Sequence, residues 1–267
     1  MRHLLLSSFA VLIILTTGCS RESNPVLPEK GKVIVLMYHR ITAGEAGNLY
    51  ERSVADLEND LKYLKDNKIK VLSFNDIQDI ANSGEMPNGN AAILTFDDGD
   101  HSWYTLVKPV LVKYKMKATF FLWTNMVGEN SFITWQEVED MSNYILPGGE
   151  HPFVFGSHTC SHVYLYSTKG NYTNDAEYNA FLDYQLGVSR EQIERHTPGS
   201  VTIMSLPFGD GAGDPEIIAA AHRNGYKFIR TSVWGAIQNS SFDLYAIPSL
   251  PMLDTTEPDL IGYYLGL

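Results

Sequence analysis

The strongest constraint on the fold is a series of short, almost uninterrupted apolar runs separated by stretches with helical periodicity. Val33–Tyr38, Ala91–Phe96, Lys117–Trp123, Phe153–Gly156, Val201–Leu206 and Tyr226–Thr231 each have the length of a strand. Strands this apolar on both faces belong in a parallel sheet covered by helices, because one solvated face would force a polar alternation. Between them, Ser53 can cap a helix whose Leu57, Leu61 and Leu64 share a face. Thr134-Trp135-Gln136-Glu137 is a capping box that opens a helix to about Tyr144, and Asp214-Pro215 places a cap and a first-turn proline before a helix stopping at Gly225. Lys70–Phe74 and Leu244–Ile247 read as further strands, Asp76–Asn82, Ser102–Tyr114 and Asp175–Arg195 as helices. Seven or eight strand–helix units predict an α/β fold, a closed or nearly closed (β/α) barrel in a single domain, with a doubly wound open sheet as the competitor.

The N-terminus stands apart. Arg2 and His3 precede an apolar run from Leu4 to Leu15, which is too short for a membrane span and suits a signal-peptide core. Thr16-Thr17-Gly18-Cys19 resembles a bacterial lipobox, with Cys19 as the lipidated residue; a plain secretory signal with a chance cysteine is the alternative. The expected organisation is residues 1–18 as a lipoprotein signal peptide, 19–31 as a polar tether and 32–267 as the domain. The expected location is the bacterial cell envelope, anchored to the membrane and facing outside the cytoplasm.

A formal charge of −11 and the lack of a Lys/Arg cluster argue against a nucleic-acid partner, which requires a basic surface. The remaining cysteine, Cys160, has no disulfide partner if Cys19 carries lipid. It lies between two candidate ligand histidines but reads better as a small buried residue.

Parallel α/β sheets gather ligands at the C-terminal ends of their strands. Applied here, that rule collects His39 after Tyr38, Asp97-Asp98 after Phe96, His158 after Gly156 and Pro207-Phe208-Gly209 after Leu206. Singly, Asp-Asp-Gly could be a turn, the His-x-x-x-His pair two surface residues, and His39 a hydrogen-bonded core residue. Crowded on one rim, carboxylates and histidines repel or desolvate one another unless a cation organises them. Two imidazoles and a carboxylate suit zinc, and also nickel or cobalt.

In order and spacing, Thr95-Phe96-Asp97-Asp98-Gly99, Gly156–His162 (GSHTCSH) and Leu206–Gly209 (LPFG) resemble the polysaccharide deacetylase family, carbohydrate esterase family 4. Val35–Ile41 (VLMYHRI), with KATFFLW, resembles its branch that deacetylates poly-N-acetylglucosamine. The likeness covers roughly residues 32–250 and implies a distorted (β/α) barrel. It also implies metal-dependent removal of acetyl groups from an N-acetylglucosamine polymer, with Asp98, His158 and His162 as metal ligands and Asp97 as general base. The backbone N–H of Phe208, after Pro207, would stabilise the oxyanion. The general acid is implied to be His39, with His101 the runner-up. Where many relatives carry an arginine paired with the base, this chain has Ser205, leaving Asp97 without that partner. Trp234 would wall the acetyl pocket or belong to the core. An O-acetyl esterase on xylan or another glycan is the rival enzyme; a catalytically silent carbohydrate-binding lipoprotein is the rival from another class.

Overall fold

The computed structural model describes residues 30–267. The signal segment, Cys19 and the tether up to residue 29 lie outside the described residues. Lys30 and Gly31, expected to end the tether, already belong to the first strand, β1 (Lys30–Tyr38). The remaining strands are β2 (Arg40–Thr42), β3 (Glu51–Ser53), β4 (Lys70–Leu72), β5 (Gly89–Asp98), β6 (Ala118–Leu122), β7 (Phe153–Ser157), β8 (Ile203–Ser205), β9 (Phe228–Arg230), β10 (Ala236–Ile237) and β11 (Leu250–Pro251). The helices are α1 (Val54–Asp66), α2 (Phe74–Ser83), α3 (Lys108–Tyr114), α4 (Trp135–Ser142), α5 (Asp175–Asp183), α6 (Ser189–Glu194), α7 (Pro215–Arg223) and α8 (Asp259–Leu265).

The main sheet runs β1-β5-β6-β7-β8-β9 in parallel, with β10 antiparallel on β1, β4 against β5, and β11 parallel on β1. Arg230 of β9 forms a parallel bridge with Ile247, only a few residues before β11. The segment from Ile247 to Pro251 therefore joins the last strand to the first and completes a distorted barrel of seven positions. Leu244–Ile247, expected as a full strand, makes only this bridge, and β11 carries the rest of the closure.

Alternation along the strands divides the core into two layers. Ile34 and Leu36 face the outer helices, packing with Leu57, Leu61 and Leu64 of α1, whose N-cap Ser53 accepts the Asp56 N–H as expected. Val33, Val35, Ala91, Ile93, Phe121, Ile203 and Phe228 fill the lumen together with Phe74, Ile77 and Ile80 of α2, which plugs one end. Ser73 and Asp76 form the capping box that starts α2, which is why β4 stops at Leu72 instead of reaching Phe74. Gly156 of β7 is dictated by this packing, since a Cβ there would stand 2.8 Å from the Phe121 ring and 2.9 Å from the Ile203 carbonyl oxygen. Ser102–Tyr114 and Asp175–Arg195 are helical as expected, but π-helical turns at Trp103–Val107 and Tyr184–Val188 interrupt them. Among the described residues, no helix is long and apolar enough to cross a membrane.

Candidate active site

The inward alternation that fills the lumen also builds the site. Continuing Ala91 and Ile93 by steps of two reaches Thr95 and Asp97; Val33 and Val35 lead to Met37, Ile203 to Ser205, and Phe228 to Arg230. Each apolar stack thus ends in a polar or sulfur-bearing group at the C-terminal mouth, where a cavity of about 480 Å³ opens. His39, Asp97, Asp98, His158, His162, Phe208 and Trp234 all line it, so the strand-end rule brings these residues together.

Asp98, His158 and His162 converge. Asp98 Oδ1 lies 3.4 Å from His158 Nε2 and 3.3 Å from His162 Nε2, and the two nitrogens are 3.1 Å apart. Atoms about 2.0–2.1 Å from a tetrahedral cation stand about 3.3 Å from one another, so this triangle fits one face of such a shell. Three protein ligands leave positions for water and substrate. The histidines meet through a turn instead of the helical face that their four-residue spacing allows: Thr159 and His162 adopt left-handed φ values of 65° and 50°. Asp98 (φ 87°) and Phe208 (φ 59°) are left-handed too, so four of the six such non-glycine residues among the described residues gather here. Backbone held this way is paid for by surrounding structure and is concentrated at working sites.

The His158 tautomer is set by a neighbour. Its Nδ1 lies 3.1 Å from the carbonyl oxygen of Ser205 and 2.6 Å from the Ser205 hydroxyl. A carbonyl only accepts, so Nδ1 carries the proton and Nε2 turns its lone pair toward the triangle. The His158–His162 turn is fastened from the π-helical turn, where the Gln185 side chain and carbonyl accept the N–H groups of Ser161 and Cys160. Cys160 is fully buried, its thiol directed at the Asn125 side-chain oxygen Oδ1, and stands outside the ligand group.

The expectation that Asp97 lacks an arginine is corrected by the structure. Arg230, from β9, donates its Nη2 to Asp97 Oδ2, and both side chains are buried. The guanidinium lies over the Phe121 ring, 5.3 Å from its centre, and its Nη1 approaches the Met37 sulfur at 2.8 Å. Ser205 occupies the neighbouring register position on β8, opposite Arg230, and serves His158 instead. Sequence reasoning passed over Arg230 because it lies far from the motifs. The signal available was a charged residue closing an apolar strand on the same rim. Asp97 Oδ1 is left buried with no hydrogen-bond partner.

His101 does not line this cavity. Its Nε2 sits 2.9 Å from Glu137 on α4, and the ring lines a separate surface depression with Arg40 and Asp100. His39 faces the site and meets the Tyr50 ring edge-on. Burial lowers the His39 pKa below its ordinary value, outweighing Asp97 and Asp98, which pull it up. Burial also works against ionisation of Asp98, but the adjacent His158 and His162 rings outweigh it and hold that carboxyl far below the usual range. Trp234 is 54% exposed, on the rim of the cavity and outside the core.

Residues 84–229 match the family model for polysaccharide deacetylase. The chain belongs to the polysaccharide deacetylase family. A poly-beta-1,6-N-acetyl-D-glucosamine N-deacetylase of Staphylococcus aureus is 33% identical over 225 residues, covering 81% of this chain and 73% of that protein. The Staphylococcus epidermidis protein of the same name is 24% identical over 271 residues, covering 94% and 90%. The deacetylase PplD of Streptococcus pyogenes, solved with acetate, superposes with a TM-score of 0.75 at 20% identity, across 89% of this chain and 99% of that one. These likenesses agree with the barrel, and the family membership makes the chain a polysaccharide deacetylase hydrolase.

Proposed function

We propose that this chain is a metal-dependent N-deacetylase that hydrolyses the acetamido groups of an N-acetylglucosamine-containing polysaccharide and releases acetate. The observation that carries this reading is the triangle of Asp98, His158 and His162 with the buried Asp97 carboxylate next to it, its Oδ2 3.8 Å from His158 Nε2. A carboxylate that lines the cavity beside three converging ligand groups is placed to take a proton from a water held there. Export through residues 1–18, lipidation at Cys19 and an outward-facing location in the bacterial envelope belong to the same proposal.

A divalent cation held by Asp98, His158 and His162, zinc by its donor set, supplies Lewis acidity to water and to the acetyl oxygen when bound. The protein's own residues do the rest. An acetamide is a poor electrophile, so the attacking water must be deprotonated, and the Asp97 carboxylate, held in place by Arg230, takes that proton. As oxygen adds to the acetyl carbon, negative charge grows on the former carbonyl oxygen, toward which the Phe208 N–H would donate. The C–N bond then breaks, the amine nitrogen takes a proton from His39, and acetate and a free amino sugar remain. Burial favours the neutral ring of His39; the proton it passes to the amine is the one Asp97 took from the water, so both side chains end the cycle as they began.

The test is acetate release by purified protein from N-acetylglucosamine oligomers and from acetylated xylan, before and after chelation and with zinc restored. Chelator-sensitive release from the oligomers is expected. Release confined to xylan would replace the reading with an O-acetyl esterase. No turnover of either at full metal loading would leave a carbohydrate-binding protein.

A further inference from the structure

Exposed aromatic rings stand on opposite sides of the barrel mouth, and two of them have no part in the chemistry above. Tyr50, 56% exposed, lines the cavity beside His39, their ring centres 5.3 Å apart. Tyr164, 48% exposed, stacks on Phe208 with centres 4.2 Å apart and planes 18° from parallel; Phe208 is itself 56% exposed and forms the cavity wall.

The topology fixes how these rings are separated. Around the ring β1, β5, β6, β7, β8, β9, β11, His39 follows β1 and Phe208 follows β8. Seven positions allow no greater separation. Asp97 and Asp98 end β5 and His158 follows β7, so the reacting groups lie between the two aromatic sites.

Neither ring rides on a loose loop. The Tyr50 N–H donates to the Asn48 side chain at 2.9 Å, just before β3. The Tyr164 carbonyl accepts from Thr168 Oγ1 at 2.7 Å, the Leu165 carbonyl accepts the buried Tyr178 hydroxyl at 3.0 Å, and Asp210 accepts the N–H groups of Tyr166 and Ser167. Scattered exposed apolar residues are ordinary, but rigid aromatic rings flanking a reaction centre are a binding feature. The C–H groups of a β-linked N-acetylhexosamine form a flat apolar face that complements such a ring.

We infer that Tyr50 and the Tyr164–Phe208 pair are stacking platforms for the sugars on either side of the one being deacetylated. The enzyme then acts on internal residues of a chain, and these rings set which residue is presented. The inference rests on the N-deacetylase reading of the cavity and adds to it the substrate register.

N-acetylglucosamine oligomers of two to six units, the metal-loaded enzyme and mass-spectrometric mapping of the deacetylated unit provide the test. For the unaltered enzyme, kcat/KM should rise with chain length. Tyr50→Ala and Tyr164→Ala should each lose roughly tenfold on the pentamer, the size expected when one sugar face loses its apolar cover. The loss should reside in KM, shrink toward the dimer, and move the deacetylated position toward opposite ends in the two variants. Tyr50→Phe and Tyr164→Phe keep the ring and should restore wild-type behaviour. Equal efficiency at all lengths, or an unchanged length profile and position in both alanine variants, overturns the inference alone. No acetate from any oligomer with the unaltered enzyme overturns the N-deacetylase reading with it.

Discussion

Arg230 holds Asp97 from across the barrel lumen: the guanidinium donates to Oδ2, and neither side chain is more than 2% exposed. The same Oδ2 stands 3.8 Å from His158 Nε2, so the pair holds the Asp97 carboxylate beside the three-ligand triangle. An arginine at position 205 would remove the hydroxyl that lies 2.6 Å from His158 Nδ1. With the arginine on the adjacent strand, β8 serves His158 and β9 serves Asp97.

Arg230→Met should lower stability by about 3–5 kcal/mol, because it strands a buried carboxylate. It should also lower kcat by about 100-fold, with cation affinity nearly unchanged. Urea unfolding and steady-state kinetics on the same preparation check both numbers. Wild-type kcat in the folded variant would detach Arg230 from the base.

Asp97→Asn should reduce acetate release by about 10²–10⁴-fold, the usual contribution of a positioned base, while zinc remains bound. The two readouts, turnover and metal content, separate loss of the base from loss of the site.

Ser205→Ala keeps the carbonyl that accepts from His158 but removes the 2.6 Å hydroxyl contact. Cation affinity should fall by about tenfold, toward the lower end for partners that orient ligand histidines. Isothermal titration with zinc measures this; an unchanged affinity would mean that the carbonyl alone orients the ring.

His39→Ala should slow amide hydrolysis more than hydrolysis of an activated aryl acetate, whose leaving group needs no proton. His101→Ala, whose ring faces Glu137, should leave the ratio at its wild-type value. Equal losses on both substrates in His39→Ala would assign that residue a structural role.

Asp98 gives a pH signature in the metal-stripped protein. Burial opposes its charge, but His158 and His162 hold the folded pKa well below the unfolded value. The stabilisation is therefore present above the unfolded pKa and lost as pH falls through the folded one. Asp98→Asn should melt lower than the unaltered apoprotein at neutral pH, and the gap should narrow below about pH 4. A gap that widened in acid would reverse the sign of this linkage.

The order of apolar runs and caps was enough, without coordinates, to call for a covered parallel sheet, and the rule for strand ends was enough to collect His39, Asp97, Asp98, His158 and Phe208. Both follow from local physics: strand periodicity sets which face a side chain takes, and chain direction sets which rim it reaches. The partner of Asp97 lay beyond such reasoning, because Arg230 is 133 positions away and meets it only when β9 curls round the lumen. The outward turn of His101 toward Glu137, the bridge from Ile247 that closes the ring and the exposure of Trp234 were likewise decided by tertiary structure. Contacts of this kind depend on how strands separated in sequence are ordered around a curved sheet, and that ordering is a property of the packed whole.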